Sequence, residues 1–138
     1  MTAREYINVA AFCLLQGGNK RNTLTEMNSK YETTMPFIPR IVCNDGFSIS
    51  VQVNHGNYCA SENGVRKFGF DWKLVEWGYP SERIDPEKYN CEGYGILGDN
   101  VDTTNSVGGF VEIELIDELC EEHGGINVQE TLRQCASH

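Results

Sequence analysis

Between residues 47 and 54 apolar and polar side chains alternate without a break: Phe47, Ile49, Val51 and Val53 against Ser48, Ser50, Gln52 and Asn54. A period of two is that of a β-strand with one buried and one wetter face. Ile41, Val42 and Cys43 are separated from this run by Asn44-Asp45-Gly46, residues that accept positive φ and turn the chain back. Residues 40–59 are therefore predicted as a hairpin and the loop that leaves it, from His55 to Cys59. Asn63-Gly64 is a second hairpin signal. It leads to Phe68, Phe70, Trp72 and Leu74 on one face, after which the apolar parity switches to Val75, Trp77 and Tyr79. A switch of parity predicts a bulge or bend near Leu74 and Val75. The result is a three-stranded antiparallel meander over residues 40–79, with Val107 to Val111 as a fourth, short strand containing two glycines.

Helical periods flank these strands. Ala3, Ile7, Ala10, Ala11, Leu14 and Leu15 recur at helical spacing after a Thr2 and Glu5 capping box, and Gly17-Gly18 supplies a stop. Residues 19–34 carry no clear apolar face and are predicted as a connector. Asp85-Pro86-Glu87 pairs an N-cap with proline at the first helical position, giving a short helix to Cys91 at most. Residues 92–106, rich in Gly, Asp, Asn and Thr, are expected to form a long loop. Asp99, Asp102 and Asn105 lie in it, but their spacing is not that of an EF-hand, and a solvated turn accounts for them. Glu112 to His123 places Ile113, Ile116, Leu119 and Cys120 inward and Glu114, Asp117, Glu118, Glu121 and Glu122 outward, ending at Gly124-Gly125. A smaller cap-and-helix pattern follows over Asn127 to Cys135.

These elements define an α+β fold: a small antiparallel sheet packed by an acidic helix, with an N-terminal helix. At 138 residues the chain is the size of one domain with its own core. The expected organisation is a helix and connector over 1–34, standing as an extension if Met35 is an internal start, and an α+β domain over 35–138. No apolar run is long enough to span a membrane. Glu5 and Tyr6 interrupt the place where an export signal would be apolar, so the expected compartment is the cytoplasm and the six cysteines are expected to be reduced.

Charge narrows the partners. The net charge is −9, which disfavours nucleic acid and anionic membrane and favours basic protein surfaces. It is uneven: residues 1–41 carry +2, residues 42–106 carry −5 and residues 107–138 carry −6.

Four segments together resemble a group of small proteins carried by bacteriophages and other mobile elements. They are Ile-Val-Cys-Asn-Asp-Gly-Phe-Ser-Ile-Ser-Val-Gln at 41–52, Gly-Asn-Tyr-Cys at 56–59, Val-Glu-Trp-Gly-Tyr-Pro-Ser-Glu at 75–82, and Glu-Leu-Ile-Asp-Glu-Leu-Cys-Glu-Glu-His-Gly-Gly-Ile at 114–126. In that group the Tyr-Cys pair is usually followed by Pro-Arg, whereas Cys59 is followed by Ala60-Ser61. The resemblance implies a phage-derived gene with a role against bacterial defence, such as an anti-CRISPR protein, and brings no catalytic residue with it.

Three chemistries are then available to the side chains. Cys43, His55 and Cys59 at one hairpin end, with Cys120 and His123 at i, i+3 on a helix, contain the sulfur and nitrogen ligands that tetrahedral zinc takes. The alternative has Cys43 and Cys120 as small buried hydrophobes and the histidines at the surface. Cys59 with His55 as base would make a thiol nucleophile, but an orienting group and an oxyanion site are not evident. The carboxylates of Glu114, Asp117, Glu118, Glu121 and Glu122, with Trp77 and Tyr79 as exposed aromatics, would suit a partner surface that ordinarily holds nucleic acid. The expectation is a phage-derived inhibitor that binds a host nucleic-acid-binding defence protein stoichiometrically. A zinc-stabilised interaction module is the alternative, and a small hydrolase a third.

Overall fold

The computed structural model describes residues 1–16, 37–53, 59–61 and 72–137. The first helix, α1 (Ala3–Gln16), begins where the capping box predicts. The Glu5 N–H donates to Thr2 Oγ1 and the Thr2 N–H to Glu5 Oε1, both at 3.1 Å, which satisfies donors that a helix start otherwise leaves unpaired. The Thr2 N–H first and the Thr2 hydroxyl second hold the Glu5 carboxyl below the usual range.

β1 (Ile41–Val42) and β2 (Ser48–Gln52) form the predicted hairpin, Ile41 opposite Ile49 and Val42 opposite Ser48. Gly46 takes φ 94° in its turn, and the Asp45 carboxylate accepts from the Phe47 N–H at 2.8 Å. β2 pairs antiparallel with β4 (Trp72–Gly78), and β4 pairs antiparallel with β5 (Val107–Glu112). The fourth strand thus extends the meander in the order β1, β2, β4, β5. A two-residue strand, β3 (Ala60–Ser61), pairs with Leu74 and Trp72 on the edge of β4 that β2 occupies further along. It continues the line of β2 after an interruption.

Two irregularities flank the predicted place: between Trp72 and Leu74, β4 itself carries an extra residue, Lys73, against β3, and between Val75 and Trp77 the extra residue belongs to the neighbouring strand. Val75 faces Val111 and Trp77 faces Gly108, so Gly109 and Phe110 together stand opposite Glu76, and Phe110 takes φ 53°.

One face of the sheet is covered by helices. α3 (Ile113–Glu122) packs on β4 and β5, α4 (Val128–Ser137) packs against β1, and α1 bridges α3 and α4. The core holds Ile49, Val51, Val75, Trp77 and Val111 from the strands, and Ile113, Ile116, Leu119 and Cys120 from α3. Ala3, Tyr6, Ile7, Ala10 and Ala11 of α1 are fully buried in the same core. Tyr6 closes the packing by donating its hydroxyl to the Pro39 carbonyl. The N-terminal helix therefore packs into the same core as the strands; Met35 and the connector lie outside the described residues.

Residues 92–106 are more ordered than their composition predicts. They contain a single turn of helix, α2 (Tyr94–Leu97), and two 3₁₀ turns at Gly98–Asn100 and Thr103–Asn105. Asp102 organises the second turn, accepting from the Thr104 N–H at 3.1 Å and from Asn105 Nδ2 at 2.8 Å, which fits the reading of its carboxylate as a turn former. Asp85 does the same for the turn after it, accepting from the Glu87 N–H at 3.0 Å.

Among the described residues no helix is long and apolar enough to cross a membrane.

Candidate functional site

α3 is the element on which the acidic expectation rests. Its inward stripe of Ile113, Ile116, Leu119 and Cys120 is buried, which fixes its rotation about its own axis. Glu114, Glu118, Glu121 and Glu122 are left exposed. Among the described residues two ion pairs reach them at the outer limit of such contacts, Arg4 Nη2 3.9 Å from Glu114 and Lys88 Nζ 3.8 Å from Glu118. Such exposed contacts neutralise little.

Asp117 departs from the expected outward set. It is half-buried, and its Oδ1 accepts a 2.6 Å hydrogen bond from the Ala3 N–H at the start of α1. Burial raises its carboxyl above the ordinary aspartate value, the Ala3 bond opposing this in part. Asp117 thus joins two helices. The reason is topological, since α1 docks across the flank of α3 on which Asp117 lies.

Trp77 also departs from expectation. It is 1% exposed, and its Nε1–H donates to the Tyr89 carbonyl at 2.6 Å. Its ring covers Gly108 so closely that a Cβ there would lie 2.4 Å from Nε1. By strand parity Trp77 lies on the face to which the apolar residues switch after Leu74, and that face is the one the helices cover. Tyr79 is exposed as expected, at 54%, with φ 50°.

The proposed zinc ligands come together only in part. Cys43 and Cys120 are both buried, and their thiols interact. The Cys120 S–H donates to the Cys43 sulfur, and this bond first and burial second raise the Cys120 pKa and keep it a neutral thiol, while the same bond lowers that of Cys43. Cys59 is buried as well, and His55 lies outside the described residues. His123 is engaged elsewhere. Its Nδ1 is 2.7 Å from Asp45 Oδ2 and 3.7 Å from Glu82 Oε2, and its ring stacks on Phe47 with centroids 4.0 Å apart and planes 8° from parallel. Among the described residues no three His, Cys, Asp or Glu side chains are arranged to hold a metal ion.

The His123 arrangement was not foreseen in the sequence. It belongs to a corner where three turns meet. The Asn44 N–H donates to the Gly125 carbonyl (2.9 Å), Asn44 Nδ2 to the Gly124 carbonyl (2.6 Å) and the Asp45 N–H to the His123 carbonyl (3.2 Å). Ser48 and Ser81 exchange bonds through the Ser48 N–H to Ser81 Oγ (2.9 Å) and the Ser81 N–H to the Ser48 carbonyl (2.8 Å). Gly124 and Gly125 both take positive φ, 85° and 87°, and a Cβ on Gly124 would lie 3.3 Å from Asn44 Cβ. Asp-Gly-Phe-Ser, Pro-Ser-Glu and His-Gly-Gly, which carry part of the resemblance, are therefore neighbours in space. The available signal was the presence of three turn-forming segments with complementary side chains.

No family model matches the chain, and neither a curated protein nor a solved structure is similar to it.

Proposed function

We propose that the protein acts by stoichiometric binding, its α3 ridge occupying a basic, nucleic-acid-binding surface of a partner protein. The supporting observation is the set Glu114, Glu118, Glu121 and Glu122, exposed on a helix whose opposite side is locked into the core. At 1.5 Å rise per residue the first three span about 10 Å along one side. A row of carboxylates on a rigid element attracts a cationic surface and loses little freedom when it docks. The resemblance to mobile-element proteins supplies the context: a phage-derived inhibitor of a host defence protein, such as a CRISPR nuclease, in the bacterial cytoplasm.

The test uses an RNA-guided nuclease cleavage assay with increasing amounts of this protein. Inhibition is expected to reach completion near a one-to-one ratio, to weaken as salt rises from 50 to 300 mM, roughly the range over which screening shortens, and to be lost in the variant E114K/E118K/E121K/E122K. A circular-dichroism melt checks that the variant is folded, because exposed substitutions usually change stability by no more than about 0.5 kcal/mol each. Full inhibition by the charge-reversed variant, or silencing of a large excess of nuclease by a trace of protein, would overturn the proposal.

A further inference from the structure

Cys43 follows β1 directly and Cys120 lies in the last turn of α3, and the fold brings these two elements together. Two backbone bonds set the approach. The Gly125 N–H donates to the Cys120 carbonyl at 2.8 Å, and the Asn44 N–H donates to the Gly125 carbonyl at 2.9 Å. Cys43 itself forms an isolated antiparallel bridge with Ile126. Beneath these bonds the Cys120 S–H donates to the Cys43 sulfur, with both residues in the core at 2% and 1% exposure.

A buried cysteine ordinarily packs as a small hydrophobe. Cys91 shows a common end for its proton, donating its S–H to the Glu92 carbonyl at 3.5 Å. Cys120 instead donates to a second thiol, and two sulfurs held in contact by a packed frame already have the proximity that a disulfide requires. The bond also makes them unequal. It favours the thiolate at Cys43, the attacking form, and leaves the proton on Cys120.

We infer that Cys43 and Cys120 form a reversible dithiol–disulfide pair, closing to a disulfide that staples the hairpin to α3 when the protein meets hydrogen peroxide. The Cys43 thiolate attacks one peroxide oxygen, the O–O bond breaks, and the departing hydroxide takes up a proton to become water. Cys43 is left as a sulfenic acid. The Cys120 sulfur then attacks the Cys43 sulfur, the S–O bond breaks, and the hydroxyl leaves as a second water with the Cys120 proton. The thiols have been oxidised by the loss of two hydrogens and the peroxide reduced to two waters. A dithiol reductant restores them by exchange. Asn44 and Gly124, on the turns above the pair, are exposed, so a local opening of this corner admits an oxidant little larger than water. The link joins segments far apart in the chain and so restricts the unfolded state strongly. None of this depends on the function proposed for the α3 ridge.

The experiment treats the reduced full chain with hydrogen peroxide at pH 7, alkylates the remaining thiols under unfolding conditions and maps the digest by mass spectrometry. A Cys43–Cys120 linked peptide is expected, lighter than its two parts by two hydrogens and lost on treatment with dithiothreitol. The oxidised chain is expected to melt about 10 °C above the reduced chain. That shift is expected to reverse with dithiothreitol, to be absent from Cys43→Ala and Cys120→Ala, and to persist in Cys91→Ala. The linkage map is read on the parent chain, so it decides the matter even where a variant fails to fold. Alkylation of both thiols after peroxide treatment, recovery of Cys43 as a sulfinic acid or joined to a different cysteine, or a linked chain that melts no higher than the reduced one would each overturn the inference.

Discussion

The two faces of one sheet are built on opposite terms. On the helix-covered face, Val51 and Trp77 pair across β2 and β4, and Val75 pairs with Val111 across β4 and β5, all buried. On the other face the same strands present Ser50, Gln52, Glu76 and Gly78. The first face gains stability by excluding water from apolar surface. The second satisfies polar groups locally, as Gln52 does with Ile38 and Ser50, and keeps a shaped surface. The contrast teaches that burial by itself does not distinguish apolar packing from polar bracing, because Gln52 is nearly as buried as Trp77 and is held by hydrogen bonds to Ile38 and Ser50.

The strongest way to break this contrast is at Trp77. Trp77→Ala is expected to lower unfolding free energy by about 3–5 kcal/mol, since it empties the covered face and leaves the Tyr89 carbonyl without its donor. Urea titration followed by circular dichroism measures this. Gly108→Val is expected to act in the same direction, since its side chain would meet the Trp77 ring.

On the opposite face, Gln52→Ala is expected to cost less, about 1–3 kcal/mol, because it strands the Ile38 N–H and carbonyl without removing core volume. A cost equal to that of Trp77→Ala in the same titration would show that the two faces are energetically alike.

The corner at His123 tests how firmly the covering layer is tied to the hairpin. His123→Ala is expected to cost about 1 kcal/mol through the lost Phe47 stack and the exposed Asp45 contact. Asp45 also gives this corner a pH dependence. Its carboxyl is held below the ordinary value by the Phe47 N–H first and His123 second. A lowered carboxylate pKa stabilises the fold above the unfolded-state value, and that contribution disappears as pH falls through the folded-state value. Asp45→Asn is therefore expected to lose stability at neutral pH and to show a flatter acid limb in melts taken between pH 2 and 7.

The smallest effect is expected at Asp117, where a carboxylate intrudes on the covered layer. Its raised pKa means that the folded state holds the proton more tightly than the unfolded state, so its ionisation above that pKa costs stability. Asp117→Asn keeps an acceptor for the Ala3 N–H. It is expected to raise stability at pH 7 by about 0.5 kcal/mol or less, as the exposed part of the carboxylate is screened by water, with the gain vanishing in acid. Paired melts at pH 3 and pH 7 measure the difference.

The sequence by itself determined whatever depends on near neighbours. The alternation from Phe47 to Val53, the turn at Asn44-Asp45-Gly46, the Thr2 and Glu5 capping box and the apolar stripe of α3 are repeats or caps spanning a few residues, and each is found where its pattern places it. Tertiary structure decided which of two plausible faces became the inside and which side chains met. Trp77 looked exposed because strand parity distinguishes two faces without saying which one the helices will cover. Asp117 looked like one more carboxylate on a polar helix face, until the start of α1, 114 residues away in sequence, brought it a donor. His123 looked available to a metal, but the chain returns it to Asp45 across 78 residues. Helical and strand periods are written locally by backbone geometry, whereas these contacts depend on how the packed elements close on one another, which no short stretch of sequence encodes.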